Sequence, residues 1–352
     1  MDFLARFGLS VPLVQAPMAG TSTPALAAEV CNAGALGSLA LGAIGPAEAR
    51  RQIADLKSRT DRPFNLNLFV HETLAPDPAG EQAWLDALAP LFREYDAEPP
   101  AALETIYPSF AGNAAMRDVV LEAKPAVVSF HFGLPEAATI AALKAADCLL
   151  LSSVTSLAEA ELSLAAGIDV LVAQGWEAGG HRGMFDPDAL DDRLGTFALT
   201  RLLVAWGKLP VIAAGGIMDG ASIRAALDLG AVAAQLGTAF VACPETNADA
   251  AYRALLASDA ARHTTMTRAI SGRPARCLAN RFTQFGERTD IPPVPAYPRT
   301  YHAGKALNAA AKAKGEPLYG AQWAGQGAPL SRPMPAAELV AQLTAELSFT
   351  RP

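Results

Sequence analysis

The sequence predicts an α/β fold, a TIM (β/α)8 barrel with a smaller C-terminal extension and insertions on its rim. Eight short apolar runs alternate with helical patterns, the order that wraps helices around a parallel sheet. Their ends recur at several steps about 22 residues apart, a normal βα repeat for such a barrel. Glycines and titratable residues cluster just past those ends, where α/β folds place ligands.

Taken in order, Val11 to Ala16 is the first strand, and Thr23 caps a helix with Pro24 in its first turn and Gly34 after its end. Ala35 to Leu39 is the second strand, followed by a helix from Gly45-Pro46 to about Ser58. Phe64 to Phe69 is the third, with Asn65 and Asn67 on one face. Val127 to Phe132 is the fourth and Cys148 to Ser152 the fifth. Ser156 and Glu159 read as a capping box for a helix that stops at Gly167. Asp169 to Ala173 is the sixth strand, Val211 to Ala214 the seventh and Val232 to Leu236 the eighth, with helices over Thr196 to Trp206 and Asp219 to Leu229 between them.

The barrel is expected over residues 1–242, with rim insertions at about 70–112 and 184–195. The first insertion carries its own helix around Gln82 to Tyr95; both leave strand ends and belong on the catalytic rim. The extension, 243–352, reads as partly helical, packed on the barrel and contributing to the active site. Its helices are expected at Asn247 to Ser258, His302 to Lys314 and Ala336 to Glu346; Ser271 to Arg281 and Asp290 to Pro298 read as irregular.

Composition narrows the partners. A net charge of -7 and the lack of a basic run argue against nucleic acid or an anionic membrane surface. Apolar stretches stop well short of the roughly 20 residues that cross a bilayer, and Met1 to Arg6 has no basic lead into a long apolar run. Cys31, Cys148, Cys243 and Cys277 are far apart and form no CxxC, so neither a disulfide framework nor a metal site is expected and a reducing cytoplasm is. The oligomeric state is left open.

The chain is organised around Leu171 to Gly183, where the sixth strand breaks into Gln174-Gly-Trp-Glu-Ala-Gly-Gly-His181. Gly179 and Gly180 let backbone N–H groups approach a ligand, and His181 can exchange a proton near neutral pH. Gly215 and Gly216 follow the seventh strand; Gln235-Leu236-Gly237-Thr238 ends the eighth. Barrels bind phosphate at these two loops through backbone N–H groups and a helix N-terminus. Gln15, Asn67 and Gln174 end strands one, three and six, and amides can read the imide edge of a flavin. Each amide alone fits a satisfied structural group equally well; with the phosphate loops they make FMN the natural ligand. No GxGxxG follows the first strand, so a dinucleotide fingerprint is lacking.

Gln15-Ala-Pro-Met-Ala-Gly-Thr-Ser-Thr-Pro24, His131-Phe-Gly-Leu-Pro135, Gln174 to Gly183 and Ala213-Ala-Gly-Gly-Ile-Met-Asp-Gly220 together resemble the nitronate monooxygenases, once called 2-nitropropane dioxygenases. The resemblance spans the barrel, and its class I form reaches the tail through Tyr297, Tyr301 and Lys305. Thr21 departs from the branched apolar residue common in the first motif. The resemblance implies FMN, no nicotinamide step, and oxidation of alkyl nitronates, notably propionate 3-nitronate, with O2 to a carbonyl compound and nitrite after single-electron transfer to the flavin. It implies that Asn67, Gln174, Gly179, Gly216 and Gln235 to Thr238 hold FMN. Met18, His131, His181, Tyr297, Tyr301 and Lys305 would line the substrate pocket, with Tyr252 added.

The residues agree with a small anionic substrate. His131, His181, Arg182 and Lys305 would be the cationic groups near the flavin, drawing an anion into an otherwise acidic protein. Glu177 and Arg182 are expected to pair across the glycine loop, with His71, His263 and His302 solvated or structural and Trp176 a packing residue. His181 is the candidate catalytic group, as a base toward a neutral nitroalkane or a donor to nitronate oxygens; which of the two histidines moves a proton stays open. The alternative is an FMN-dependent NAD(P)H reductase of a quinone or enoyl thioester on a related barrel. A phosphosugar isomerase or lyase barrel without flavin is more distant.

Overall fold

The computed structural model describes residues 3–348; Met1 and Asp2, where the N-terminal stretch read above begins, lie outside it. The strands run in chain order as β1 (Leu13–Gln15), β2 (Gly37–Ala40), β3 (Phe64–Phe69), β4 (Val127–His131), β5 (Leu149–Val154) and β6 (Val170–Gln174). A two-residue β7 (Gly180–His181) stands outside the barrel, and β8 (Val211–Ala214) and β9 (Ala233–Leu236) complete it. All neighbours in the eight-stranded sheet are parallel, in the order β1-β9-β8-β6-β5-β4-β3-β2. A parallel bridge between Val14 and Leu36 joins the two edge strands. This is the TIM barrel that the eight-run pattern predicts.

Local chemistry places the helices as read. Thr23 Oγ1 accepts the Leu26 N–H with Pro24 in the first turn. Gly167 closes the helix Leu157–Ala166 in the left-handed region at φ 90°. The box at Ser156 is only half made: Ser156 Oγ accepts the Glu159 N–H, but the Glu159 carboxylate turns to Thr155 and to the Phe185 N–H. That carboxylate ties the 184–195 loop to the barrel wall instead of closing the cap.

Ser271 to Arg281 is not irregular throughout. β10 (Thr264–Thr267) and β11 (Ala275–Leu278) form an antiparallel pair, and β11 also pairs β7, setting Ala275 opposite His181. Four residues with no amphipathic period become a strand because partners distant in sequence satisfy their backbone groups. The first insertion and the extension share one core. Trp84, Leu88 and Phe92 of the helix Pro78–Arg93 pack with Ile270, Phe282, Leu307 and Tyr319. The tail helix Ala336–Ser348 buries Leu339, Val340 and Leu343 against Leu26, Val30 and Ile223 on the barrel's outer helices. The first insertion and the extension thereby cover the barrel mouth and side.

Candidate active site

One cavity of about 540 Å³ opens at the C-terminal ends of the strands. Met18, Asn67, His131, Gln174, Gly179, Gly180, His181, Gly215, Gly216, Gln235, Gly237 and Thr238 line it from the barrel. Tyr252, Tyr297, Tyr301 and Lys305 line it from the extension. Two of the residues read as cofactor-binding are not brought to it. Gln15 is fully buried, its Oε1 accepting the Ser38 N–H at 2.8 Å and its Nε2 donating to Ser22 Oγ at 3.1 Å. Its amide therefore ties β1 to β2, where the sheet closes by a single bridge. Leu236 points into the core with Leu13 and Phe240, and its carbonyl accepts the Ala16 N–H. An inward strand position next to a ligand loop does not by itself reach the ligand.

His181 is held by several neighbours. Its carbonyl accepts Gln174 Nε2 at 2.9 Å and His131 Nε2 at 3.1 Å. Because a carbonyl can only accept, His131 carries its proton on Nε2. Gln174 Oε1 accepts the Gly183 N–H at 2.7 Å, so this amide braces the 181–183 turn with both ends. The His181 Nε2 lies 2.9 Å from Ser271 Oγ. Around its ring stand Phe132 and Tyr297 edge-on at 5.5 and 5.6 Å between centroids, with Trp323 at 5.0 Å. Phe132 is buried and takes φ 77°, a left-handed conformation costing a residue with a Cβ of order 1–3 kcal/mol. Its ring contacts His131, Tyr297 and His181, so the strained backbone positions the aromatic that joins the site.

The charges differ from the expected set. Burial pushes His181 down to about 3, helped by His131, Arg273 and His71; burial also pushes His131 and His71 down to about 4. All three rings are neutral near pH 7. His71 is not solvated: it is buried edge-on to Tyr297 at 4.9 Å. Arg182 is turned away from the cavity, pairing with Asp191 at 2.9 Å and donating to the Gln174 carbonyl. Glu177 accepts both the N–H and the hydroxyl of Thr196, so the expected Glu177–Arg182 pair does not form. Lys305 remains on the cavity wall, its Nζ donating to Tyr107 Oη at 2.8 Å.

Several site residues escaped the sequence reading. Tyr107 comes from the first insertion and Trp323 from the extension; both line the cavity. Gly325 and Gly327 line it as well, Gly325 N–H donating to Thr238 Oγ1 at 3.0 Å. A Cβ on Gly179 would meet the Gly325 nitrogen at 2.5 Å, which is why the loop needs glycine there. The Gly325-Gln-Gly327 pair was the signal available for this contact. Tyr252 buries its ring at the wall and its hydroxyl donates to the Trp323 carbonyl.

The nitronate monooxygenase family model matches residues 3–346 of the chain. The chain belongs to the nitronate monooxygenase family. It is 62% identical to a nitronate monooxygenase of Paraburkholderia phytofirmans, over 98% of this chain and 94% of that protein. It is 52% identical to one of Pseudomonas aeruginosa, over 98% of each. Among solved structures, a nitroalkane oxidase of Streptomyces ansochromogenes is 39% identical with a TM-score of 0.89, covering 99% of this chain and 98% of that one. FabK of Thermotoga maritima is 28% identical with a TM-score of 0.73, covering 98% and 94%. As a nitronate monooxygenase the chain is an oxidoreductase.

Proposed function

We propose that this enzyme uses FMN to oxidise a small anionic alkyl nitronate, propionate 3-nitronate being the substrate that suits its residues, with O2. A carbonyl compound and nitrite are the products. The observation that carries this reading is a single cavity with neutral His181 on its wall and the cation Lys305, beside Tyr107, also on it. A carboxylate-bearing nitronate needs a partner for the carboxylate and a different environment for the reacting carbon.

The residues present fit FMN. Asn67 donates to Ser129 while its Oδ1 is a buried acceptor without a partner among the described residues. It would accept from the ring imide, and Gln235 on the same wall would offer a further amide. Gly215 and Gly216 take φ 126° and 68°, turning the strand end so that backbone N–H groups can face a phosphate. Thr238 with Gly325 from the extension would complete that corner. When bound, FMN supplies the one-electron acceptor and the partner for O2.

The chain's own residues bind and orient. Lys305 holds the carboxylate, with Tyr297 and Tyr301 on the same wall. His181, neutral by burial, takes the α-proton of a neutral nitroalkane: the C–H bond breaks and its electron pair moves onto the nitro group, giving the nitronate. The aromatic ring cluster around His181 limits water at the reacting carbon. Four free buried cysteines suit a reducing cytoplasm, and among the described residues no helix is long and apolar enough to cross a membrane.

The test is direct. Purified protein is expected to be yellow, to release FMN on denaturation and to form nitrite from propionate 3-nitronate in air. FAD in the supernatant would contradict the monophosphate cradle. Rapid bleaching on anaerobic mixing with NADH would favour the quinone or enoyl-thioester reductase instead.

A further inference from the structure

The turn between β10 and β11 holds a residue that bears on the chemistry of His181. Ser271 is 1% exposed and its Oγ lies 2.9 Å from His181 Nε2. The same hydroxyl lies 3.2 Å from the Arg273 carbonyl and 3.4 Å from the Arg273 N–H. A serine hydroxyl has one proton to give. The Arg273 carbonyl can only accept, and Ser271 is the donor it finds among the described residues. If the proton goes there, Oγ has only lone pairs left for the imidazole, and Nε2 must carry the hydrogen. Nδ1 then bears the free lone pair, and it has no hydrogen-bond partner among the described residues.

We infer that Ser271 is a positioning residue that fixes His181 as the Nε2–H tautomer, leaving Nδ1 as the basic nitrogen. The inference rests on the reading of His181 as a base and makes it specific to one atom. It also separates the two roles open to this histidine, since a neutral ring whose only N–H is spent on Ser271 has none left to donate to a nitronate. The surrounding structure favours this state. β7 pairs β11, and the Arg182 N–H donates to the Pro274 carbonyl at 2.8 Å, so the turn and the histidine move as one piece. Arg273 is buried with its guanidinium 4.3 Å over the Phe132 ring and donates to the Met184 and Phe185 carbonyls. It has no carboxylate partner among the described residues, so its charge helps keep the resting imidazole neutral, with Nδ1 unprotonated before substrate arrives.

The test reads the tautomer itself. With histidine labelled in both ring nitrogens, two-bond proton–nitrogen correlations report which nitrogen carries hydrogen. Only five histidines are present, and loss of one signal set in His181→Asn identifies it. Wild-type protein is expected to show His181 as the Nε2–H form, Ser271→Ala to show the Nδ1–H form appearing, and Ser271→Thr to restore the wild-type pattern. Nitroalkane kcat should fall in Ser271→Ala, by no more than the roughly 10²–10⁴-fold that a positioned base supplies, and recover in Ser271→Thr. An Nδ1–H ring in the wild type, or an unchanged tautomer in Ser271→Ala, would overturn the assignment. Retained nitroalkane turnover in His181→Asn would instead remove the base reading while the tautomer measurement still stood.

Discussion

Arg299, which opens the helix Arg299–Ala313 of the extension, grips both carboxylate oxygens of Glu81, in the helix of the first rim insertion, at 2.5 and 2.7 Å. The same guanidinium donates to the Leu103 carbonyl at 2.6 Å. The two side chains are only 16% and 8% exposed. This pair joins the two segments that bring Tyr107 and Lys305 to the cavity wall. Removing one partner strands a buried charge, which costs about 3–5 kcal/mol. Glu81→Ala is therefore expected to lower the urea midpoint strongly, while Glu81→Gln with Arg299→Met loses less than the single changes summed. Additive losses in that cycle would mean the two groups do not depend on each other.

Substrate charge is expected to be read at Lys305. Lys305→Met should raise KM for propionate 3-nitronate far more than for an alkyl nitronate with an uncharged tail. A hydrogen bond to a charged group is worth about 1.5–3 kcal/mol. The lower end applies here, because the Lys305 side chain is exposed and its charge is screened. Equal effects on the two substrates would take Lys305 out of this role.

His181→Asn keeps a polar side chain and deletes the base. It is expected to abolish turnover of neutral nitroalkanes, a loss of about 10²–10⁴-fold, while sparing part of the turnover of preformed nitronates. Steady-state rates with a nitroalkane and with its own nitronate make the comparison. Parallel loss on both would leave the histidine with a binding role common to the two substrates.

Acid should destabilise the fold before most carboxylates titrate. His71, His131 and His181 are held at about 4, about 4 and about 3 in the folded chain, against about 6.5 when unfolded. Below about pH 6.5 the unfolded chain binds protons that the folded one does not, so stability is complete above that value and falls as pH falls. Each histidine contributes up to about 1.4 kcal/mol per pH unit. Urea unfolding between about pH 7.5 and 5 measures the slope; a flat profile would mean that the folded rings are already charged.

Much of the fold and part of the cavity lining were legible in the sequence. Phe64–Phe69 and Val211–Ala214 coincide with the strands as read, because buried parallel strands are short apolar runs and glycine marks where they end. Gly179, Gly180, Gly215 and Gly216 marked loops that line the cavity for the same local reason, and His181 stood among them. Gln15 illustrates the limit: its place at a strand end resembles that of Asn67, yet its amide is consumed by Ser38 and Ser22 while Asn67 keeps an acceptor unpaired among the described residues. Which amide is left over depends on partners 7 and 23 residues away in sequence.

By itself, then, the sequence determined the barrel, the glycine loops that line its cavity and the histidine among them, since period, glycine placement and strand ends are properties of neighbouring residues. Tertiary structure alone decided the ionisation of that histidine, the partner of its Nε2, and the closing of the mouth by Tyr107, Trp323 and Gly325. Ser271 lies 90 residues from His181, and no local pattern marks a serine that will face an imidazole. Burial and hydrogen-bond direction arise only when β11 pairs β7 and the extension folds over the barrel.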